Sequence, residues 1–125
     1  MAPEKPEDIK DRTFRFALSI ISLAELLPDT KPAAVIAKQL VRAGTSVGAN
    51  VEEAVAAHSR ADFVYKMNIA LRESRETNYW LRIVKTKGWV SPQSIDSVLD
   101  ESEQIMRILG AIVSKARGRR KGQST

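Results

Sequence analysis

Cysteine is absent from the 125 residues, which removes a disulfide scaffold, a zinc finger and a cysteine nucleophile together. Histidine occurs once, and His58 stands beside Ser59 with no acid spaced to orient it, so it reads as an exposed turn residue. A di-iron bundle requires Glu-x-x-His on two helices. Here Glu73-Ser74-Arg75-Glu76 carries no histidine, and the residue three before His58 is Val55. The segment from Gly44 to Gly48 lacks the lysine and the preceding strand of a phosphate-binding loop, and no dinucleotide fingerprint occurs. The sequence therefore predicts no catalytic residues, no cofactor and no metal. An enzymatic reading would have to rest on a carboxylate group of Glu53, Glu73 and Glu76.

Long apolar runs are missing too. None approaches the roughly 20 residues that span a bilayer, and the amino terminus, MAPEKPED, has no apolar signal core. The expectation is a soluble cytoplasmic protein with no membrane role. No hairpin signal, internal repeat or inter-domain linker appears. One domain is predicted at residues 13–116, preceded by a flexible segment 1–12 and followed by a basic disordered tail 117–125.

What the chain does contain is helical periodicity. Between Thr13 and Leu27 only Arg15, Ser19 and Ser22 form a polar stripe, and so wide an apolar arc implies contacts on more than one side. Pro28 ends this helix, and Asp29 or Thr30 can cap the next. From Pro32 to Ala57 the positions Ile36, Leu40, Ala43, Val47, Asn50 and Ala54 form a bundle seam. Gly44 and Gly48 disfavour a helix interior, yet they let a neighbouring backbone approach, so a continuous helix is expected. Ser59 to Asp62 reads as a capping box. It opens a helix with the seam Phe63, Met67, Ala70, Ser74, Thr77, Leu81 and Val84, which Gly88 closes. Ser91-Pro92 starts the last helix, with the seam Ile95, Val98, Ser102, Ile105, Leu109, Ile112 and Ala116. Short connections between long helices predict an all-α, antiparallel, up-down-up-down four-helix bundle.

The net charge of +5 has a location. Lys115, Arg117, Arg119, Arg120 and Lys121 follow the last acidic residue, Glu103, and account for the whole excess of 20 basic over 15 acidic residues. These cations read either as a solubilising terminus or as a nonspecific arm for phosphate backbones. On the third helix Tyr79 and Trp80 adjoin Arg82 and Lys85, a combination that suits base stacking with phosphate contact or an anchor at a subunit interface. The third helix is biased basic. The fourth, with Asp96, Asp100, Glu101 and Glu103, is biased acidic, which suits self-association. Asn50, Glu53, Glu73 and Glu76 fit the apolar pattern least well and predict an interhelical polar network, with Arg42, Arg72 or Arg75 as partners.

Three stretches carry a family likeness: Gly44–Ala54 (GTSVGANVEEA), Ala57–Phe63 (AHSRADF) and Ile69–Leu81 (IALRESRETNYWL). Together they resemble a bacterial four-helix bundle family. It includes proteins encoded in intervening sequences of 23S ribosomal RNA genes and accessory variability proteins of diversity-generating retroelements. The resemblance spans about residues 13 to 113. It implies a ring-like homopentamer of four-helix protomers, and binding of nucleic acid or a protein partner instead of chemistry. Asn50, Glu53, Glu73, Glu76 and Trp80 match the family pattern as structural positions. The retroelement proteins are basic over the body, whereas this body is neutral and its cations lie in the tail. The functional expectation is a non-enzymatic homo-oligomer that binds RNA, DNA or a ribonucleoprotein, the alternative being a protein–protein scaffold.

Overall fold

A computed structural model describes the backbone of residues 6–124 and the side chains of residues 9–118. Four helices follow one another: α1 (Pro6–Ala24), α2 (Lys31–Val55), α3 (Arg60–Lys87) and α4 (Pro92–Ser124). Each packs on its neighbour in sequence, and α4 returns to α1 to close the bundle. The pairings run in opposite senses. Gly44 and Gly48 of α2 face Ile20 and Thr13 of α1 in reversed order, and Asn78 and Lys85 of α3 meet Ser102 and Asp96 of α4 likewise.

The helix boundaries follow capping chemistry. Thr30 sits in extended backbone and its hydroxyl accepts from Ala33 N at 3.3 Å, with Pro32 in the first turn. Ser59 accepts from Asp62 N at 3.1 Å. Gly88, at φ 66°, is the left-handed residue that ends α3, and Trp89 N donates back to Val84 O at 3.3 Å. Ser91 Oγ accepts from Ser94 N at 3.3 Å, ahead of Pro92 at the first helical position.

Three boundaries differ from the sequence expectation. Helix α1 begins at Pro6, not near Thr13, and its first described side chain, Ile9, is fully buried. The run Pro6-Glu7-Asp8 is itself a helix-start signal. At its other end α1 stops at Ala24, and the chain tightens as Leu26 N and Leu27 N donate to Leu23 O and Ala24 O at 3.0 and 3.2 Å. Helix α4 continues past Ala116 to Ser124, where a disordered tail had been expected from residue 117.

The core is the inner stripe of all four helices. Phe16 and Ile20, Leu40 and Val47, Met67 and Leu81, and Ile95, Ile105 and Leu109 are its large members. The seams drift from the strict three–four alternation. Val51 and Val113 are buried where Asn50 and Ile112 had been expected. A straight helix at 3.6 residues per turn rotates away from a 3.5-residue repeat, which moves the buried position on by one. The polar residues left on the seams are satisfied: Ser74 donates to Leu71 O and Thr77 to Glu73 O, each at 2.7 Å. Among the described residues no buried side-chain polar atom lacks a partner.

The interior glycines have different reasons to be there. A Cβ at Gly44 would stand 2.7 Å from Ile20 Cγ2, and one at Gly48 would stand 3.2 Å from the carbonyl oxygen of Thr13. These two let α1 lie close on α2, as the sequence implied. A Cβ at Gly110 would meet nothing within 4 Å. Gly110→Ala should therefore stabilise the protein by about 1 kcal/mol, the helix-propensity difference. Chemical denaturation would read it as a raised midpoint with an unchanged slope.

Candidate nucleic-acid interface

The excess cations begin on α4 beyond its last acidic residue. Lys115 and Arg117 are exposed there, and neither makes an ion pair or hydrogen bond among the described residues. Arg119, Arg120 and Lys121 have side chains outside the described residues. The two cations assigned to the third helix are tied within the protomer. Arg82 Nε donates to Asn78 Oδ1 at 3.0 Å, and its guanidinium lies 5.6 Å from the centroid of the Tyr79 ring. Lys85 Nζ pairs with Asp96 Oδ1 at 3.0 Å.

Tyr79 and Trp80 take different environments. Their rings meet edge to face, with centroids 5.0 Å apart. Trp80 is half-buried against the core, and its indole nitrogen donates to Glu76 Oε2 at 3.0 Å. Tyr79 is exposed. Of the two, Tyr79 is the one open to a ligand or partner, with the Arg82 guanidinium over its ring.

The expected polar network divides. Arg42 on α2 donates through Nη1 to Glu73 Oε1 at 3.3 Å, through Nη2 to Glu76 Oε2, and through Nε to Gln39 Oε1 at 3.1 Å. Arg42, Glu73, Glu76 and Trp80 thus tie α2 to α3 at its surface. Asn50 instead donates to Ser46 O on its own helix at 2.9 Å, since Val51 has taken the core position. Glu53 is exposed and makes no hydrogen bond or ion pair among the described residues. The three carboxylates do not form one group, and the two that lie together share a guanidinium. Glu76→Gln should cost less than about 1 kcal/mol, because the pair is partly solvated and the amide oxygen still accepts from Trp80. Thermal unfolding of the variant checks this.

Sequence reasoning missed two further networks. Asn78, buried on α3, donates to Ser102 Oγ on α4 at 3.3 Å while accepting from Arg82. Ser102 on a predicted seam was the available signal. Arg12 on α1 grips Glu101 on α4 through two hydrogen bonds of 2.7 and 2.8 Å and also reaches Gln104 at 2.6 Å. Residues so distant in the chain leave no local pattern.

Other surfaces matter for recognition. His58 is exposed in the α2–α3 connection. Among the described residues no group of His, Asp and Glu is arranged to hold a metal ion, and no helix is long and apolar enough to cross a membrane. Phe14, Leu18 and Ile21 form an exposed apolar stripe along α1, with Leu26 exposed in the turn beyond it. The apolar arc of α1 is thus wider than the bundle covers.

The sequence profile of the 23S rRNA-intervening sequence proteins matches residues 6–111, from the first turn of α1 to the middle third of α4. The chain belongs to that family. The resemblance expected over about residues 13 to 113 thus coincides closely with the matched region. No curated protein matches the chain significantly. Among solved structures it is similar to a protein of unknown function from the S23 ribosomal protein family of Bacteroides thetaiotaomicron VPI-5482. The identity is 38% and the TM-score 0.80, over 89% of this chain and 99% of that one. Family members so related share the four helices and their order.

Proposed function

We propose that this member of the 23S rRNA-intervening sequence family is a non-catalytic, cytoplasmic, homo-oligomeric binding protein that associates with RNA or a ribonucleoprotein. The observation that carries this reading is the siting of the positive charge. A neutral bundle ends in a helix that bears Lys115 and Arg117, exposed and with no partner among the described residues, and whose sequence continues into Arg119, Arg120 and Lys121. Such a cluster attracts phosphate backbones and releases their counterions. The family description, which ties these proteins to 23S rRNA genes, supports RNA as the polymer. Assembly would bring several such termini together and multiply the attraction.

The exposed stripe of Phe14, Leu18 and Ile21 supports self-association, in a ring of five if the family resemblance extends to assembly. It also favours the second reading, a scaffold whose partner is another protein. The two separate on salt. A chain ending at Ala116 should bind RNA with a log affinity versus log salt slope shallower by about 3, from four lost cations. An unchanged slope removes the tail from the binding site, and salt-tolerant capture of a protein would favour the scaffold. Sedimentation at micromolar concentration tests the assembly, where a monomer would refute the ring.

A further inference from the structure

We infer that the groove between α3 and α4 is a track for a phosphodiester backbone, with Arg75, Arg107 and Arg117 as its phosphate contacts. The inference rests on the nucleic-acid reading above and places part of the binding on the bundle itself. Asn68, Leu71, Arg75 and Asn78 recur on one face of α3 and line one wall. Arg107, Gly110, Ser114 and Arg117 recur on one face of α4 and line the other. The two halves of the groove share Leu71, Arg75 and Gly110, so it is continuous.

Its charge is unbalanced. Arg75, Arg107 and Arg117 are all exposed, and none has an ion pair or hydrogen bond among the described residues. The single acid among the described lining residues is Glu103, at one end. This contrasts with Arg12, Arg42, Arg82 and Lys85, each held by an acid or an amide of the same protomer. From Arg107 to Arg117 the helix rises about 15 Å, over which one strand of a duplex presents roughly four phosphates. Guanidinium groups suit this task because their planar fork matches phosphate oxygens two at a time.

Gly110 is the independent observation. It sits mid-helix at the centre of the groove, and no described residue lies within 4 Å of where its Cβ would stand. Packing does not call for it, unlike Gly44 and Gly48. It leaves room for a ligand to lie close along the helix backbone. A helix of a second copy could also exploit Gly110 and Ser114, but it would have to lie against three arginines with one acid beside them. A polyanion meets the same surface with complementary charge.

The test uses the full chain and labelled poly(U) and poly(dT) of equal length, followed by fluorescence anisotropy across a salt series. Arg75→Gln with Arg107→Gln should weaken binding roughly a hundredfold at low salt, about tenfold per charge-assisted contact. It should also reduce the salt slope by about 1.4. Glu103→Gln should tighten binding. Gly110→Leu should weaken binding while leaving helix content and melting temperature no lower, a result that a binding site confined to the tail would not give. Tighter binding to poly(U) assigns the groove to RNA, and tighter binding to poly(dT) assigns it to DNA. Wild-type affinity in the double arginine variant, with loss of binding on truncation after Ala116, overturns the groove and leaves the tail reading standing. No binding by the intact protein at low salt overturns both. Unchanged affinity with an altered oligomer mass makes the groove a contact between copies and overturns the inference.

Discussion

Alanine at position 44 should destabilise the protein by about 1–2 kcal/mol, although alanine favours a helix interior over glycine by about 1 kcal/mol. The reversal comes from Ile20. Its Cγ2 and Cγ1 lie 2.7 and 2.9 Å from where the new methyl group would stand, and the isoleucine is fully buried. A β-branched side chain in a helix has essentially one rotamer, so the contact is relieved only by moving α1 away from α2. Ile20→Ala alone should cost more, about 2–5 kcal/mol, through lost burial and the cavity left behind. Combined, the two substitutions should cost less than their sum by at least about 1 kcal/mol, because each removes the other's difficulty. Urea unfolding of the two single variants and the double gives the coupling. Simple additivity would mean that the helices are not held at this distance by Gly44.

Arg12→Met should cost about 2 kcal/mol, the largest effect expected of any ion-pair residue here. Most ion pairs among the described residues are solvated; Lys85 and Asp96 are each about half exposed, at 52% and 55%. Such pairs contribute little. The Arg12–Glu101 pair is exposed only to 22% and 32% and is bidentate. Removing the guanidinium strands a half-buried carboxylate, which costs more than the pair contributes. Replacing both residues, Arg12→Met with Glu101→Leu, should recover most of the loss for the same reason. A thermal midpoint in Arg12→Met equal to wild type would show that the contact is idle in solution.

The fold was largely legible because helix periodicity and capping are local. Thr30, Ser59, Gly88 and Ser91-Pro92 each announce a boundary by chemistry acting within four residues, and the structure uses all of them. The start of α1 was misread because Ile9 is one apolar residue among charges. Its burial depends on the packed core, not on its neighbours in sequence. The site was less legible. Composition located the basic terminus and the family pattern marked Glu73, Glu76 and Trp80. That Asn50 turns to its own helix follows from a rotation accumulated over several turns, which a seven-residue template does not contain. Arg75 and Arg107 lie 32 residues apart and face one groove only because α3 and α4 run antiparallel. No spacing rule along the chain connects them.

The order of packing bears on how the chain assembles. The helices pack chiefly on their neighbours in sequence, and the α1–α4 closure is the least extensive of the four interfaces. That closure has the Arg12–Glu101 pair toward one end and a shallow groove lined by Leu18, Leu26, Ser94 and Val98 toward the other. Each of the three larger interfaces joins segments separated by a short turn, so little chain entropy is lost before it forms. Local topologies of this kind fold on the order of microseconds to milliseconds. Loop-closure entropy predicts that the bundle grows as successive helical hairpins and that the α1–α4 seam closes last. The same geometry carries the last turns of α4 past the start of α1, because Arg12 lies six residues after Pro6 whereas its partner Glu101 lies 23 residues before Ser124.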